Sequence, residues 1–176
     1  MRMPTRTWLI LLFSLLPAAP SAVAQAPDSL TEIGAGGGFR ARMPGGATVT
    51  RDSTVVAPGV VVRRVRWTSP LDHPTYRVEM REFPTGSLTR FTHAHILQVE
   101  VDEFMSVTKG TVKEHRPVTL GAHRGRRFTF TGTGTELTGR MFVVGNRIYT
   151  IYVLYVPSIG ASHLHAFLDS FEFVER

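Results

Sequence analysis

Seven histidines among 176 residues raise the question of metal chemistry first, because imidazole is the commonest side-chain metal ligand. Two close pairs occur, His93-x-His95 and His163-x-His165. On a strand, residues i and i+2 share a face and their rings can meet one ion. On a helix they diverge by about 200°. Both pairs fall in stretches with helical periodicity, and the i, i+4 spacing of the helical zinc motif H-E-x-x-H is absent. The pattern predicts no metal centre and no cofactor. There is no cysteine, hence no thiol nucleophile, and no Gly-x-Ser-x-Gly elbow. The acids Glu79, Glu100, Asp102, Glu114 and Glu136 show no diagnostic pairing. The expectation is a protein without catalytic residues. The alternative is a hydrolytic or metal-dependent enzyme whose histidines meet only in the fold, since catalytic groups are assembled by geometry and not by sequence position.

One charged cluster stands above background. Lys113, Arg116, Arg124, Arg126 and Arg127, with His115 and His123, flank one expected turn against a single acid, Glu114. A hairpin there would gather positive side chains at its end, suited to an acidic protein face or an anionic surface. The candidate binding residues are therefore His123, Arg124, Arg126 and Arg127. The bland reading is a solvated arginine-rich turn, with Arg126 or Arg127 bracing the fold.

The elements that must position these residues centre on the stretch RMFVVGNRIYTIYVLY, residues 140–155. Its β-branched and aromatic content predicts two strands, joined at Gly145-Asn146 by residues that tolerate the positive φ of a tight hairpin. Side chains alternate across a strand, and after Arg147 both faces are apolar. Such a strand belongs in mid-sheet with cover on both sides. Earlier strands are expected over 39–43, 47–56, 59–69 and 76–83. In the last of these Tyr76, Val78 and Met80 alternate with Arg77, Glu79 and Arg81, predicting one buried and one solvated face. Arg64 and Arg66 are expected across from those charges.

Residues 92–109 carry Ala94, Leu97, Val101, Phe104 and Met105 on one helical stripe. Thr92 suits the N-cap and Gly110 the stop. Strands at 111–120 and 126–131 flank a turn at 121–125. A second helix carries Leu164, Phe167, Leu168 and Phe171, with Ser158 as a possible N-cap. The chain reads as one α+β domain.

Arg2 and Arg6, the apolar run from Trp8 to Leu16 and the small residues up to Ala24 read as a cleaved export signal over residues 1–24. The apolar run falls short of the roughly 20 residues that span a bilayer, so no transmembrane segment is expected after cleavage. Removing it takes two arginines from 20 Lys and Arg and nothing from 14 Asp and Glu, leaving an excess of +4. The expected address is the periplasm or the medium, which argues against nucleic acid as partner. Residues 25–38, with Pro27 and a glycine run, read as a flexible linker, and 39–176 as the domain.

Three segments carry a resemblance. LGAHRGRRF at 120–128 is similar to a Gly-x-Pro-Gly-Arg-x-Phe pattern, RMFVVGNRIY at 140–149 to a strand–Gly-Asn-Arg–strand pattern, and FLDSFE at 167–172 to a C-terminal helix ending. With the opening at Phe39 they resemble a family of exported bacterial proteins whose fold is similar to that of PsbP, an extrinsic photosystem II subunit. A Ran-binding nuclear import factor shares the architecture. The resemblance implies a three-layer α/β/α sandwich, a mainly antiparallel sheet flanked by helices on both sides, with no shared catalytic signature. It supports the helix at 92–109. Ala122 and Arg124 depart from the pattern, where Gly and Pro are usual. Fold alone brings no activity. The resulting expectation is a non-catalytic binding or assembly protein of the bacterial envelope, partnered by an envelope protein or an anionic surface.

Overall fold

A computed structural model describes residues 29–174 apart from Lys109. The expected export signal, residues 1–24, lies outside the described residues. Ten strands and two helices follow in order: β1 (Leu30–Ile33), β2 (Phe39–Pro44), β3 (Thr48–Ala57), β4 (Val60–Thr68), β5 (Thr75–Glu82), α1 (His93–Thr108), β6 (Thr111–Leu120), β7 (His123–Thr131), β8 (Glu136–Val144), β9 (Arg147–Tyr155), α2 (Leu164–Asp169) and β10 (Glu172–Phe173).

Seven strands form one antiparallel sheet in the order β3-β4-β5-β9-β8-β7-β6. The β8–β9 hairpin turns at Gly145-Asn146, where Gly145 has φ 59°, as the tight-turn expectation required. β9 is the middle strand, and it is buried from Ile148 to Val153. Its alternation supplies two separate cores. Ile148 and Tyr152 join Phe128, Phe130, Met141 and Val143 beneath Ile96, Leu97 and Val101 of α1. Tyr149, Ile151 and Val153 join Tyr76, Val78 and Phe142 on the other face, against Phe39, Ala41 and Met43 of β2 and Phe167, Leu168 and Phe171 at α2. The second cover is therefore mixed. A short helix shares it with a three-stranded sheet ordered β1-β2-β10.

Four expectations are corrected. The linker placed at 25–38 is structured where it is described. Leu30–Ile33 pairs antiparallel with β2, and the glycine turn behind it lies against Phe39, whose carbonyl stands 2.4 Å from where a Cβ on Gly34 would be. The turn expected at 121–125 is only Gly121-Ala122, and β7 begins at His123. Gly125 is a strand residue. α2 starts at Leu164, with His163 at the N-cap and no side-chain cap bond, so Ser158 does not cap it. The stripe of α1 begins at Ile96, and Ala94 is exposed. The N-cap of α1 matches expectation, since the His95 amide donates to Thr92 Oγ1 at 3.2 Å. No helix among the described residues is long and apolar enough to cross a membrane.

Candidate functional site

The arginine hairpin is β6–β7, at one edge of the large sheet. The pleat divides its candidates. Arg124 and Arg126 alternate with Gly125 and share the face of Phe128, beneath α1. His123 and Arg127 lie on the opposite face with Gly125, whose cross-strand partner is Phe142. His123 is half-buried, its ring edge-on to Phe173 at 4.6 Å. Arg127 Nε stands 3.5 Å from Glu114, which also holds Arg116. Lys113 leaves the group to pair with Glu136 at 3.0 Å, and Glu136 also accepts from the Tyr155 hydroxyl. That pair of donors holds the Glu136 carboxyl below its usual range. Of the four candidates only Arg124 is exposed, and the other three are half-buried. Arg126 faces His115, whose imidazole is pushed below its ordinary value by burial first and by the Arg126 charge second, with Asp102 opposing.

The structure does not assemble the histidine pairs. His93 and His95 are exposed in the first turn of α1, with His95 stacked on Phe91 at 5.5 Å. His163 engages the Tyr76 hydroxyl through its backbone amide at 3.4 Å, and His165 is exposed. Among the described residues no three His, Cys, Asp or Glu side chains are grouped to hold a metal ion.

The charges of β5 are less solvated than the alternation suggests. As expected, Arg66 lies opposite Glu79 and Arg64 opposite Arg81. Asp52 binds Arg64 at 2.9 Å and Arg66 at 3.0 Å, and Arg66 continues to Glu79 at 3.0 Å. Arg81 then reaches Glu100 on α1, whose side chain is only 9% exposed. Burial depresses the Arg81 guanidinium despite the acids around it. This ladder ties three strands to the helix and is structural in character.

The fold also creates a groove that no sequence motif marks. The outer strand of the small sheet, β1, and the outer strand of the large sheet, β3, lie on the same flank. Between them opens a groove of about 670 Å³. Its walls are Val49, Arg51 and Trp67 on one side and the β1–β2 segment through Phe39 and Arg40 on the other. The glycine turn forms part of the rim. A Cβ on Gly37 would stand 2.7 Å from the Phe39 ring and 3.0 Å from Trp67, so the bare backbone lets the loop lie close to both rings. All ten residues of β3 are exposed. The sequence signal was present in a run without alternation, TVTRDSTVVA, but exposure on both faces can be read only once the sheet order is known.

No family model matches the chain, and no curated protein matches it. Solved structures do. One is the solution structure of cyanobacterial PsbP (CyanoP) from Synechocystis sp. PCC 6803, with a TM-score of 0.55 over 90% of this chain and 99% of that one. The chain has a PsbP-like fold. At 11% identity the likeness is one of architecture, a mainly antiparallel sheet with few helices. The PsbP-like sheet is the frame on which both the flank groove and the arginine hairpin are mounted.

Proposed function

We propose that this PsbP-like protein is a non-catalytic binding or assembly factor of the bacterial envelope, exported through a cleaved signal at residues 1–24, and that it works by holding a partner protein at the flank between β1 and β3. Its architecture is a three-layer sandwich, with α1 as one outer layer and α2 with the small sheet as the other. The observation that carries the binding reading is the flank groove, built from two sheet margins, an exposed ten-residue strand and a glycine rim. A cleft of this size lies within the range that holds ligands, and Glu32, Arg40 and Arg51 line it beside apolar side chains. The export expectation, the resemblance and the absence of catalytic spacing in the sequence point the same way.

The test is retention of envelope proteins by the mature domain, run beside two folded variants, Arg51→Glu at the flank and Arg124→Ala/Arg126→Ala/Arg127→Ala at the hairpin. A partner lost only with Arg51→Glu supports the flank. Loss only with the triple variant moves the contact to the arginine hairpin. A partner retained equally by all three, or by none, overturns the reading. For the hairpin the matching ligand is an anionic surface, and binding there weakens as salt rises because exposed charge is screened.

A further inference from the structure

The two margins of the large sheet are built differently. β6 is blocked as a pairing strand. Lys113 and Pro117 lie within it, and its register breaks between Val112 and Glu114. These are devices that keep other chains from adding to an edge. β3 carries neither proline nor lysine, and its pairing with β4 is regular from Thr48 to Val55, with an irregularity only at Val55/Ala57. Its second margin has no strand partner among the described residues. Such a row of backbone donors and acceptors is complemented by another extended backbone, which is the chemistry of strand addition.

The side chains specify what that backbone carries. Val49, Arg51, Ser53 and Val55 share the face that opens on the groove, by alternation from Val49 and Arg51. Arg51 has no ion-pair partner among the described residues, whereas Arg40 across the groove is held by Glu172. The acid of β3, Asp52, is on the other face and is committed to Arg64 and Arg66. A second copy of the same strand does not answer these demands. Antiparallel pairing about a two-fold axis preserves the faces, so a second β3 brings another Arg51 to the groove side and no acid.

We infer that β3 takes an extended segment of a different protein as an added strand, with apolar and acidic residues at alternate positions on the groove side. The apolar residue meets Val49 and Trp67 at the groove mouth, and the acid meets Arg51. This rests on the flank reading above and narrows it to a backbone-paired peptide.

The probe is an acetylated, amidated peptide, Thr-Val-Thr-Glu-Thr-Val-Thr, in which both valines and the glutamate share one face. Its control, Thr-Val-Glu-Thr-Thr-Val-Thr, moves the acid to the other face. Amide hydrogen exchange of the mature domain is followed by NMR as either peptide is added. The expected result is new protection at alternate amides of Thr48–Val55 with the first peptide. The control and the Arg51→Glu protein should each bind about tenfold more weakly, because opposed like charges replace an attractive cross-strand pair. Ser53→Pro and Thr54→Pro are made together as single variants. Neighbouring residues point their amides to opposite margins, so one variant keeps the β4 pairing and the fold, and that one should lose peptide protection.

Absent protection on β3 at millimolar peptide, while the envelope partner is still lost with Arg51→Glu, overturns strand addition and leaves the flank reading standing. Equal binding of both peptides overturns the acidic specificity. Protection of β3 that grows with protein concentration alone, and disappears in the folded proline variant, replaces the foreign strand with a second copy.

Discussion

Gly125 and Gly139 sit inside strands, and neither needs positive φ. What excludes a side chain is proximity. A Cβ on Gly139 would lie 2.5 Å from the Ile151 carbonyl and 2.7 Å from the Phe128 ring, and one on Gly125 2.3 Å from the Met141 carbonyl. Backbone atoms do not yield as a flexible side chain does. Gly139→Ala should therefore lower stability by about 1–3 kcal/mol through overpacking, read as a fall in urea midpoint at unchanged slope. A second residue-scale prediction concerns His115. Burial and Arg126 hold its folded pKa below the ordinary value. The unfolded chain therefore binds the proton first as the pH falls through about 6.5. The stability contributed by neutral His115 is whole above that pH and is lost as the pH drops towards the folded value. His115→Gln should flatten the decline in urea midpoint between about pH 7.5 and pH 5.5, and an unchanged slope would contradict the assignment.

At the scale of elements, α1 is held by its apolar stripe and by one buried ion pair. Glu100 reaches Arg81 with little solvent around either side chain. Removing Arg81 strands the buried Glu100 carboxylate, at a cost of about 3 kcal/mol, whereas removing Glu100 leaves Arg81 the carboxylates of Glu79 and Glu103, and replacing both partners with apolar residues is close to neutral. Arg81→Met alone should thus destabilise far more than Arg81→Met with Glu100→Leu, a contrast measured in a double-mutant cycle by thermal melting. The elements themselves were largely legible in the sequence. The two-faced apolarity of β9 announced a central strand, Gly145-Asn146 its turn, and Thr92 and Gly110 the limits of α1. Two things were hidden for physical reasons. Alternation in β5 announced a wet face, yet that face lies partly under α1, because the charges on it neutralise one another and the helix supplies Glu100. The arginine cluster looked like one patch because sequence proximity ignores the pleat. β7 sends His123 and Arg127 to one side and Arg124 and Arg126 to the other. The flank groove was invisible because β1 and β3 come together only through sheet order.

At the scale of the whole molecule, five hairpins of the large sheet, β3–β4, β4–β5, β6–β7, β7–β8 and β8–β9, bring together strands that follow one another in the chain. The β5–β9 pairing is different. It joins residues 75–82 to 147–154 in unbroken register and encloses α1 and two of those hairpins, β6–β7 and β7–β8, within one long loop. Closing that loop costs entropy that only the native packing repays, and the strands that repay it are the most buried in the sheet. Opening should follow the same division. Amides of β5, β8 and β9 should exchange only through global unfolding, at the full unfolding free energy, because both their faces are covered. Those of β3 should exchange by local opening at a small fraction of it, since the strand is exposed along its length and held on one margin alone. Native-state hydrogen exchange across low urea concentrations separates the two classes, since global openings steepen with urea and local ones do not. If β3 exchanges with the same urea dependence as β9, the strand is part of the cooperative core. A flank that rigid would take an added strand without ordering any of its own residues, whereas a locally opening β3 becomes ordered as its partner binds.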